Sequence, residues 1–228
     1  MAGKGLTREM LTTVALRVVD SEGLDALSMR RLGLELGVDP MAAYRHIPNK
    51  GILLDAIVEA VMAEIDIDAA DASLEWQDQL RALSLSYLAT LMAHPHAAPL
   101  IAERSLRTAG SLRVVEKALE IMTEAGVPLV DAVATIDAIG LLAAGVAQAA
   151  SASPQPSDRA THDRFAWLPP EEFPLLSQAA EAGALSQGLT EVLDFAVNGM
   201  IAALETKALA APGRRVLGVS MERPDARL

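Results

Sequence analysis

The stretch L-S-M-R-R-L-G-L-E-L-G-V-D-P-M-A-A-Y-R-H-I-P-N-K-G-I-L-L, residues 27–54, decides how this 228-residue chain folds. Ser28 is a good N-cap for a first short helix, and Gly37 ends it, because glycine readily adopts the left-handed conformation that closes a helix. Asp39 and Pro40 fit the N-cap and the first position of a second short helix. The stretch therefore predicts a helix, a tight turn and another helix.

Two short helices joined by a tight glycine turn are the geometry of a helix-turn-helix, whose second helix fits the DNA major groove. The residues predicted to form its small core are Leu32, Leu36, Val38 and Ala43. The residues predicted on or near the outer face of the second helix are Met41, Ala42, Tyr44, Arg45 and His46. Apolar side chains there suit a thymine methyl group, and arginines suit guanine.

The charge of the chain limits how it meets DNA. A net charge of −11 argues against a protein that coats nucleic acid without regard to sequence. A few placed cations are enough for phosphate contacts. Those near the motif are Lys4, Arg8, Arg30, Arg31, Arg45 and Lys50.

The rest of the chain has helical periodicity and little strand-like alternation. Thr7 and Gly23 bound a first helix, and Asn49 caps a fourth over about 50–65. Later helices are predicted at about 74–93, 95–103, 109–125, 128–150, 171–181 and 186–209, with a mobile loop at 151–170. The predicted class is all-α: a three-helix helix-turn-helix domain over 1–50, a connecting helix over 51–70, a larger helical ligand-binding and dimerisation domain over 71–209, and a disordered tail over 210–228.

Several function classes find no support in the sequence. There is no cysteine, no glycine-rich phosphate loop, no metal-ligand cluster and no nucleophile elbow, so no catalytic residue, cofactor or metal is predicted. His94-Pro95-His96 is predicted to be structural rather than metal-binding. The start of the chain lacks the apolar core of a signal peptide, and the apolar stretch 129–150 is interpreted as a buried helix, which predicts a cytoplasmic protein that does not enter membranes.

Residues 7–65 resemble the DNA-binding domain of the tetracycline-repressor (TetR) family. The resemblance lies in S-M-R-R-L, L-G-V, A-x-Y-R-H and N-K-x-x-L-L, in that order and without gaps. It implies a homodimer that binds a palindromic operator, usually as a repressor, and is released by a small molecule. The implied DNA-binding residues are Ser28, Arg30, Pro40, Met41, Ala42, Tyr44, Arg45, His46 and Lys50.

The second block resembles the ligand domain of the tetracycline-repressor branch, through E-W-x-x-x-L-R, A-H-P-H-A-A-P-L and F-P-L-L. The positions of the magnesium-binding His and Glu of that branch fall near Ile101, Ala102 and Gln148, so a magnesium–tetracycline effector is not expected. A small apolar or amphipathic effector is expected instead. The predicted ligand-binding residues are Asp66, Leu83, Tyr87, Met92, Ile101, Met122 and Gln148.

In that branch the eighth helix and the last helix form a four-helix dimer bundle. Small and apolar residues repeat along both helices here, as such a seam requires. The predicted dimer-interface residues are Ile136, Ile139, Gly140, Ala143, Ala144, Ala147, Leu193, Val197, Ile201 and Leu204.

These features predict a sequence-specific transcriptional regulator in which an effector moves the fourth helix and changes the separation of the two recognition helices. Three alternatives stay open: a constitutive regulator with an unused pocket, a dimeric module that binds a small molecule with weak or no operator binding, and a helical enzyme.

Overall fold

The computed structural model describes residues 6–104, 107–152, 169–186 and 188–210, and every regular element in these ranges is helical. The all-α prediction is confirmed. In chain order the helices are α1 (Arg8–Glu22), α2 (Met29–Leu36), α3 (Pro40–Tyr44), α4 (Lys50–Met62), α5 (Trp76–Ala93), α6 (Ala98–Arg104), α7 (Ala109–Glu124), α8 (Leu129–Ala152), α9 (Pro174–Glu181) and α10 (Leu189–Ala210). Single 3₁₀ turns cover Leu24–Ala26 and Ala184–Ser186.

Helices α2, α3 and α4 each begin directly after the residue predicted as their N-cap. The Ser28 hydroxyl accepts from the Arg31 amide at 3.1 Å, Asp39 accepts from the Met41 amide at 2.7 Å, and Asn49 accepts from the Ile52 amide at 2.9 Å. Each cap satisfies an amide that the first turn of a helix leaves without an internal partner. Local sequence therefore sets the helix starts around the helix-turn-helix.

The turn between α2 and α3 depends on two glycines. Gly37 ends α2 with φ +65°, in the left-handed region. Gly33 lies inside α2, where an added Cβ would meet the Val38 carbonyl oxygen at 2.9 Å and Pro40 Cγ at 3.1 Å. Glycine at position 33 therefore lets the start of α3 lie directly against α2.

Helix α4 connects the helix-turn-helix to the rest of the molecule. It contacts α1 on one side and α5, α6 and α7 on the other. Its buried residues are Leu53, Ala56, Ile57, Val58, Val61 and Met62. They belong to one continuous core that runs from Leu11 in α1 to Leu204 in α10, so α4 is shared by the helix-turn-helix and the helical part that follows it.

The second part is built around α8, which contacts α5, α6, α7 and α10. A segment of this helix, Leu129–Ser151, has a length and mean hydropathy of 1.9 that would also suit a membrane span. The core helix of a soluble protein passes the same test. Only 33% of the apolar window is buried, because one face of α8 packs against its four neighbours and the other face is exposed; the prediction of a buried helix therefore holds for one face only.

The helix boundaries differ from prediction in small ways. Helix α4 ends at Met62 instead of 65, because residues 63–75 form turns. Helix α6 begins at Ala98 instead of 95, since the Ala97 amide donates to the His94 carbonyl in a preceding turn, at 2.9 Å. Most of the predicted 151–170 loop, residues 153–168, and the predicted tail from 211 onward lie outside the described residues.

The close approach at Gly33 is testable. We expect Gly33→Ala to lower the free energy of unfolding by about 1–3 kcal/mol, the usual cost of overpacking, because the new methyl group meets backbone. Leu34→Ala is the matched control in the same helix, since Leu34 is 68% exposed. Thermal unfolding of the three proteins measures the difference, and equal stability of both variants would contradict the packing described here.

Candidate DNA interface and ligand cavity

The candidate DNA interface is the outer surface of α3 with the first residues of α2 and α4. Met41 is 67% exposed and Tyr44 is 41% exposed, although both are large and apolar in part. Leu32 and Ala43 beneath them are fully buried. An isolated short helix with buried support and exposed apolar tips is suited to entering a groove.

All nine predicted DNA-binding residues retain accessible surface. Pro40 and Ala42 are half-buried, and the other seven are exposed: Ser28, Arg30, Met41, Tyr44, Arg45, His46 and Lys50. All nine residues are therefore accessible to a DNA molecule at this surface. Their contact with DNA stays a prediction.

The cations of this surface differ in what they already bind. Arg31 pairs with Glu22 at 2.6 Å and with Glu35 at 2.9 Å. Within the described part of the chain, Arg30, Arg45 and Lys50 form no ion pair. A cation without a carboxylate partner can neutralise a phosphate without first breaking an ion pair.

Acidic Glu9 lies at the start of α1, near this surface. A backbone hydrogen bond and a hydrogen bond with Thr7 lower the pKa of its carboxyl group, and the charges of Arg8 and His46 add to that effect. The Glu9 carboxylate lies in the first turn of α1, where the partial positive charge of the helix N-terminus stabilises a negative charge.

A cavity of about 320 Å³ lies within the second part of the molecule. Its walls come from α4 to α8, and they are mostly aliphatic. The residues that line it are Met62, Leu80, Leu83, Ser84, Tyr87, Ala102, Val114, Val115, Ala118, Ile136, Asp137, Ile139, Gly140 and Leu141. Their composition is that of a small-molecule site, apolar with a few polar groups.

Three of the lining side chains are polar. The Ser84 hydroxyl donates to the Leu80 carbonyl oxygen at 2.7 Å and is therefore already occupied. The Tyr87 hydroxyl has no hydrogen-bond partner among the described residues, and burial raises its pKa to about 12. Asp137 carries the only charge on the wall as the structure describes it. The cavity therefore offers a neutral phenol and one carboxylate, and no cation.

The structure brings two of the seven predicted ligand-binding residues, Leu83 and Tyr87, to this cavity. Ile101 and Met122 are fully buried in the core, with no surface left for a ligand in this conformation. Met92 and Gln148 are exposed outside the cavity. The Asp66 carboxylate accepts from the Asp68 and Ala69 amides and holds a turn.

Sequence reasoning missed most of the wall. Val114 and Val115 each lie about one helical turn before Ala118 on α7, which was a usable signal for a shared face. The sequence of one helix does not show whether its apolar face packs tightly or borders a cavity. The cavity depends on how small residues of different helices meet. The α8 residues Ile136, Ile139 and Gly140, predicted for the dimer interface, are part of the cavity wall.

The predicted dimer stripe also needs correction. Leu193, Val197, Ile201 and Leu204 are at most 5% exposed within the single chain, where α10 packs against α5 and α8. Ile139, Ala143 and Ala147 are likewise buried in α8, and Ala144 is half-buried. The buried side chains have almost no free surface for a partner, so they hold α8 and α10 together within one chain.

The surfaces that α8 and α10 leave free lie on the opposite faces of these helices. We call this the outward face; its large apolar residues are Val130, Val133, Leu141, Val192 and Phe195. Leu141 is 71% exposed and Phe195 is 81% exposed. Large apolar side chains this exposed, on two helices that contact each other, are typical of a protein–protein contact.

Ion pairs connect α4 with the cavity walls. Asp55 in α4 pairs with Arg104 at the end of α6 at 2.6 Å, two residues from the lining residue Ala102. Glu59 in α4 accepts from the Gly110 amide at the start of α7 at 2.7 Å. Helix α4 is therefore attached to both α6 and α7 along its length.

The fold and these two surfaces define a class of protein: a helix-turn-helix unit joined to a helical domain that contains an apolar cavity. Comparison with known proteins agrees. Residues 70–208 match the family model described as "Tetracyclin repressor-like, C-terminal domain". The chain belongs to the TetR family.

Particular relatives are similar over parts or most of the chain. The HTH-type transcriptional repressor DrrR1 of Streptomyces coeruleorubidus is 33% identical over 58% of this chain and 50% of its own length. The class D tetracycline repressor protein of Escherichia coli is 32% identical over 59% of this chain and 62% of its own. The chain thus spans about half to three fifths of these relatives.

Similarity to solved structures extends further. Apo ActR from Streptomyces coelicolor has a TM-score of 0.80 at 25% identity and covers 92% of this chain and 100% of its own. The complex of the same protein with actinorhodin has a TM-score of 0.75 at 25% identity, and the match covers 89% of this chain and 98% of that one.

Proposed function

We propose that this chain is a homodimeric regulator of transcription that binds a palindromic operator, acts as a repressor, and is released by a small molecule. The observation that carries the proposal is an apolar cavity connected through α4 to a helix-turn-helix whose outer surface keeps unpaired cations. The names of its relatives support repression, since DrrR1 and the tetracycline repressors are named as repressors. The role is regulatory and not catalytic, and because DNA is its target we place the protein in the cytoplasm.

Operator recognition uses the two kinds of contact that the surface offers. Met41 and Ala42 suit apolar contact with thymine methyl groups, and Arg30 and Arg45 suit guanine. Ser28, Tyr44, His46 and Lys50 suit phosphates, since two of them open helices whose amides also favour anions. Base contacts provide the specificity and phosphate contacts fix the orientation.

The effector is an uncharged or cationic amphipathic molecule. The aliphatic wall favours an apolar body, and the Tyr87 hydroxyl offers one hydrogen bond. The described wall has no cation, and Asp137 would repel an anionic group brought close to it. The ActR complexes with (S)-DNPA and with actinorhodin support a small-molecule effector for a protein of this fold.

Release follows from the attachment of α4. A ligand that displaces Ala102 moves the end of α6, and Arg104 carries the movement to Asp55 in α4. Because α4 leads directly from Lys50, a shift of this helix changes the position of the helix-turn-helix. Two half-sites on one operator require a fixed spacing, so a small change lowers affinity. The ligand can act only through its preference for the displaced state.

Dimerisation uses the outward face of α8 and α10. Its exposed Leu141 and Phe195 are large apolar groups that gain free energy when removed from water. A two-fold related copy would bring the same residues to the contact, which is the usual arrangement of soluble homodimers.

The first prediction concerns operator DNA. We expect Arg45→Ala to cost about 1–3 kcal/mol of binding to a fragment from upstream of its own gene, and to relax sequence preference. Lys50→Ala should weaken binding to all sequences alike and reduce the salt dependence by about one phosphate contact. Lys117→Ala, which removes a cation from α7, is the matched control. Binding is measured at several salt concentrations. If Arg45→Ala and Lys50→Ala change it no more than Lys117→Ala does, the result would favour a small-molecule-binding module instead.

The second prediction concerns the cavity. Ala118 is buried and lines the wall, so Ala118→Phe should fill the cavity and leave operator binding intact. An uncharged aromatic polyketide should raise the melting temperature of the wild type and release it from DNA, and should do neither with Ala118→Phe. Ala89→Phe, on the exposed side of α5, is the control. Equal stabilisation by a carboxylated analogue would refute the inferred charge preference.

The third prediction concerns the dimer. Phe195→Glu should convert the protein to a monomer, because it places a charge in an apolar contact. Leu112→Glu changes a residue of α7 that is 51% exposed and should leave the dimer unchanged. Sedimentation equilibrium distinguishes the two masses, and a dimeric Phe195→Glu protein would place the interface elsewhere.

A further inference from the structure

The corner between α5 and α6 joins three helices through one side chain. His94 Nδ1 lies 2.9 Å from Asp20 Oδ2, and His94 Nε2 lies 3.0 Å from Glu64 Oε2. Asp20 is in the last turn of α1, Glu64 follows the end of α4, and His94 ends α5. The imidazole ring therefore connects the DNA-binding part, the connecting helix and the ligand domain.

The partners of the ring define its protonation state. An ionised carboxylate only accepts hydrogen bonds, so a ring that bonds to two carboxylates must donate from both nitrogens. Only the imidazolium has two N–H groups. The second oxygen of Asp20, Oδ1, is buried and has no hydrogen-bond partner among the described residues. The carboxylate of Asp20 thus relies on the ring for compensation of its charge.

The helix ends around the ring also favour a cation. Helices α1, α4 and α5 end at Glu22, Met62 and Ala93, and each terminus carries partial negative charge on carbonyl oxygens. His96 adds to the attachment of α1, because its Nδ1 lies 2.9 Å from the Asp20 carbonyl oxygen. That carbonyl is one of the last four of the helix, which have no partner within it.

Other charged groups near the corner are engaged elsewhere. Arg17 in α1 lies 3.6 Å from Glu35, and Arg104 in α6 pairs with Asp55. The groups that act on His94 are therefore Asp20 and Glu64. Partial burial alone would lower the pKa of His94, but hydrogen bonds to Glu64 and Asp20 and their charges outweigh it, and the pKa is raised above its ordinary value.

We propose that the His94 imidazolium is a clamp that helps to hold α1, and with it the helix-turn-helix, against the ligand domain, so that a bound proton strengthens the docking of the two parts. His94 is a positioning residue, since it orients the DNA-binding part without touching DNA or effector. Its regulatory meaning rests on the proposed function. The clamp itself is a property of the isolated protein and can be tested without operator or effector.

The sign of the pH dependence follows from the ring. A neutral imidazole keeps one N–H, so deprotonation breaks one of the two bonds and turns a lone pair towards a carboxylate. Because the pKa is higher in the folded state, the contribution is fully present below the unfolded pKa of about 6.5 and is lost as pH rises through the folded pKa. Docking of α1 therefore weakens towards alkaline pH.

The experiment compares wild type, His94→Gln and His96→Gln. Hydrogen–deuterium exchange of the last turns of α1 is measured for all three at equal pH, so that intrinsic exchange cancels. At about pH 6 we expect His94→Gln to raise this exchange about fivefold over wild type, with the difference falling below about twofold at pH 9. His96→Gln is the matched control, since it loses a contact to α1 that involves no carboxylate, and its effect should not change with pH.

Nuclear magnetic resonance of the imidazole rings provides the second readout. The His94 ring should titrate above the usual histidine range in wild type, and Asp20→Asn with Glu64→Gln should return it to that range. A neutral His94 ring at about pH 6, or an exchange difference between His94→Gln and wild type that is the same at both pH values, would overturn the proposal. Failure of operator binding with an intact proton-dependent clamp would instead count against the proposed function alone.

Discussion

The structure depends first on the position of α4, whose buried face packs between the helix-turn-helix and the helical part that follows it. Leu53, Ile57 and Val61 have no exposed surface, and the helix packs against α1 on one side and α6 and α7 on the other. Protein interiors are packed at near-crystalline density, so a helix held in this way moves with its neighbours and cannot bend independently of them. In the proposed function, a change at the cavity wall and a change at the helix-turn-helix are consequently two ends of one displacement. This is why a cavity far from α3 is relevant to DNA binding at all.

The polar contacts of α4 add to this coupling, which the apolar packing already provides. Asp55 with Arg104 and Glu59 with the start of α7 are partly exposed contacts, and such pairs contribute little net stability. They determine which neighbours α4 moves with, because each contact links α4 to a particular neighbouring helix. His94 differs from them, since it joins two carboxylates from separate elements and so makes the attachment of α1 depend on a proton.

The distribution of charge explains how an acidic chain can meet DNA. The net charge is −11, yet Arg30, Arg45 and Lys50 carry no ion pair among the described residues, whereas Arg31 is held by two carboxylates. Local availability of cations, and not total charge, decides whether a phosphate is bound. In the proposed regulator, the acidic remainder disfavours binding away from the operator, because non-specific affinity is almost wholly electrostatic.

Sequence by itself determined the helices, their caps and the helix-turn-helix, because the side chains of Ser28, Asp39 and Asn49 accept from amides within three residues of themselves and Gly37 readily adopts the left-handed backbone that ends α2. Among the residues predicted from sequence to bind the ligand, Leu83 and Tyr87 line the cavity. Sequence could not separate these from Ile101 and Met122, since whether an apolar side chain lines a void or fills the core depends on residues from other helices. The same limit applied to α10, where an apolar stripe typical of a dimer seam packs inside the chain and Phe195 lies on the free side. Only the tertiary structure brought Asp20, Glu64 and His94 together, because residues so far apart in the chain meet only when packing places three helix ends at one corner.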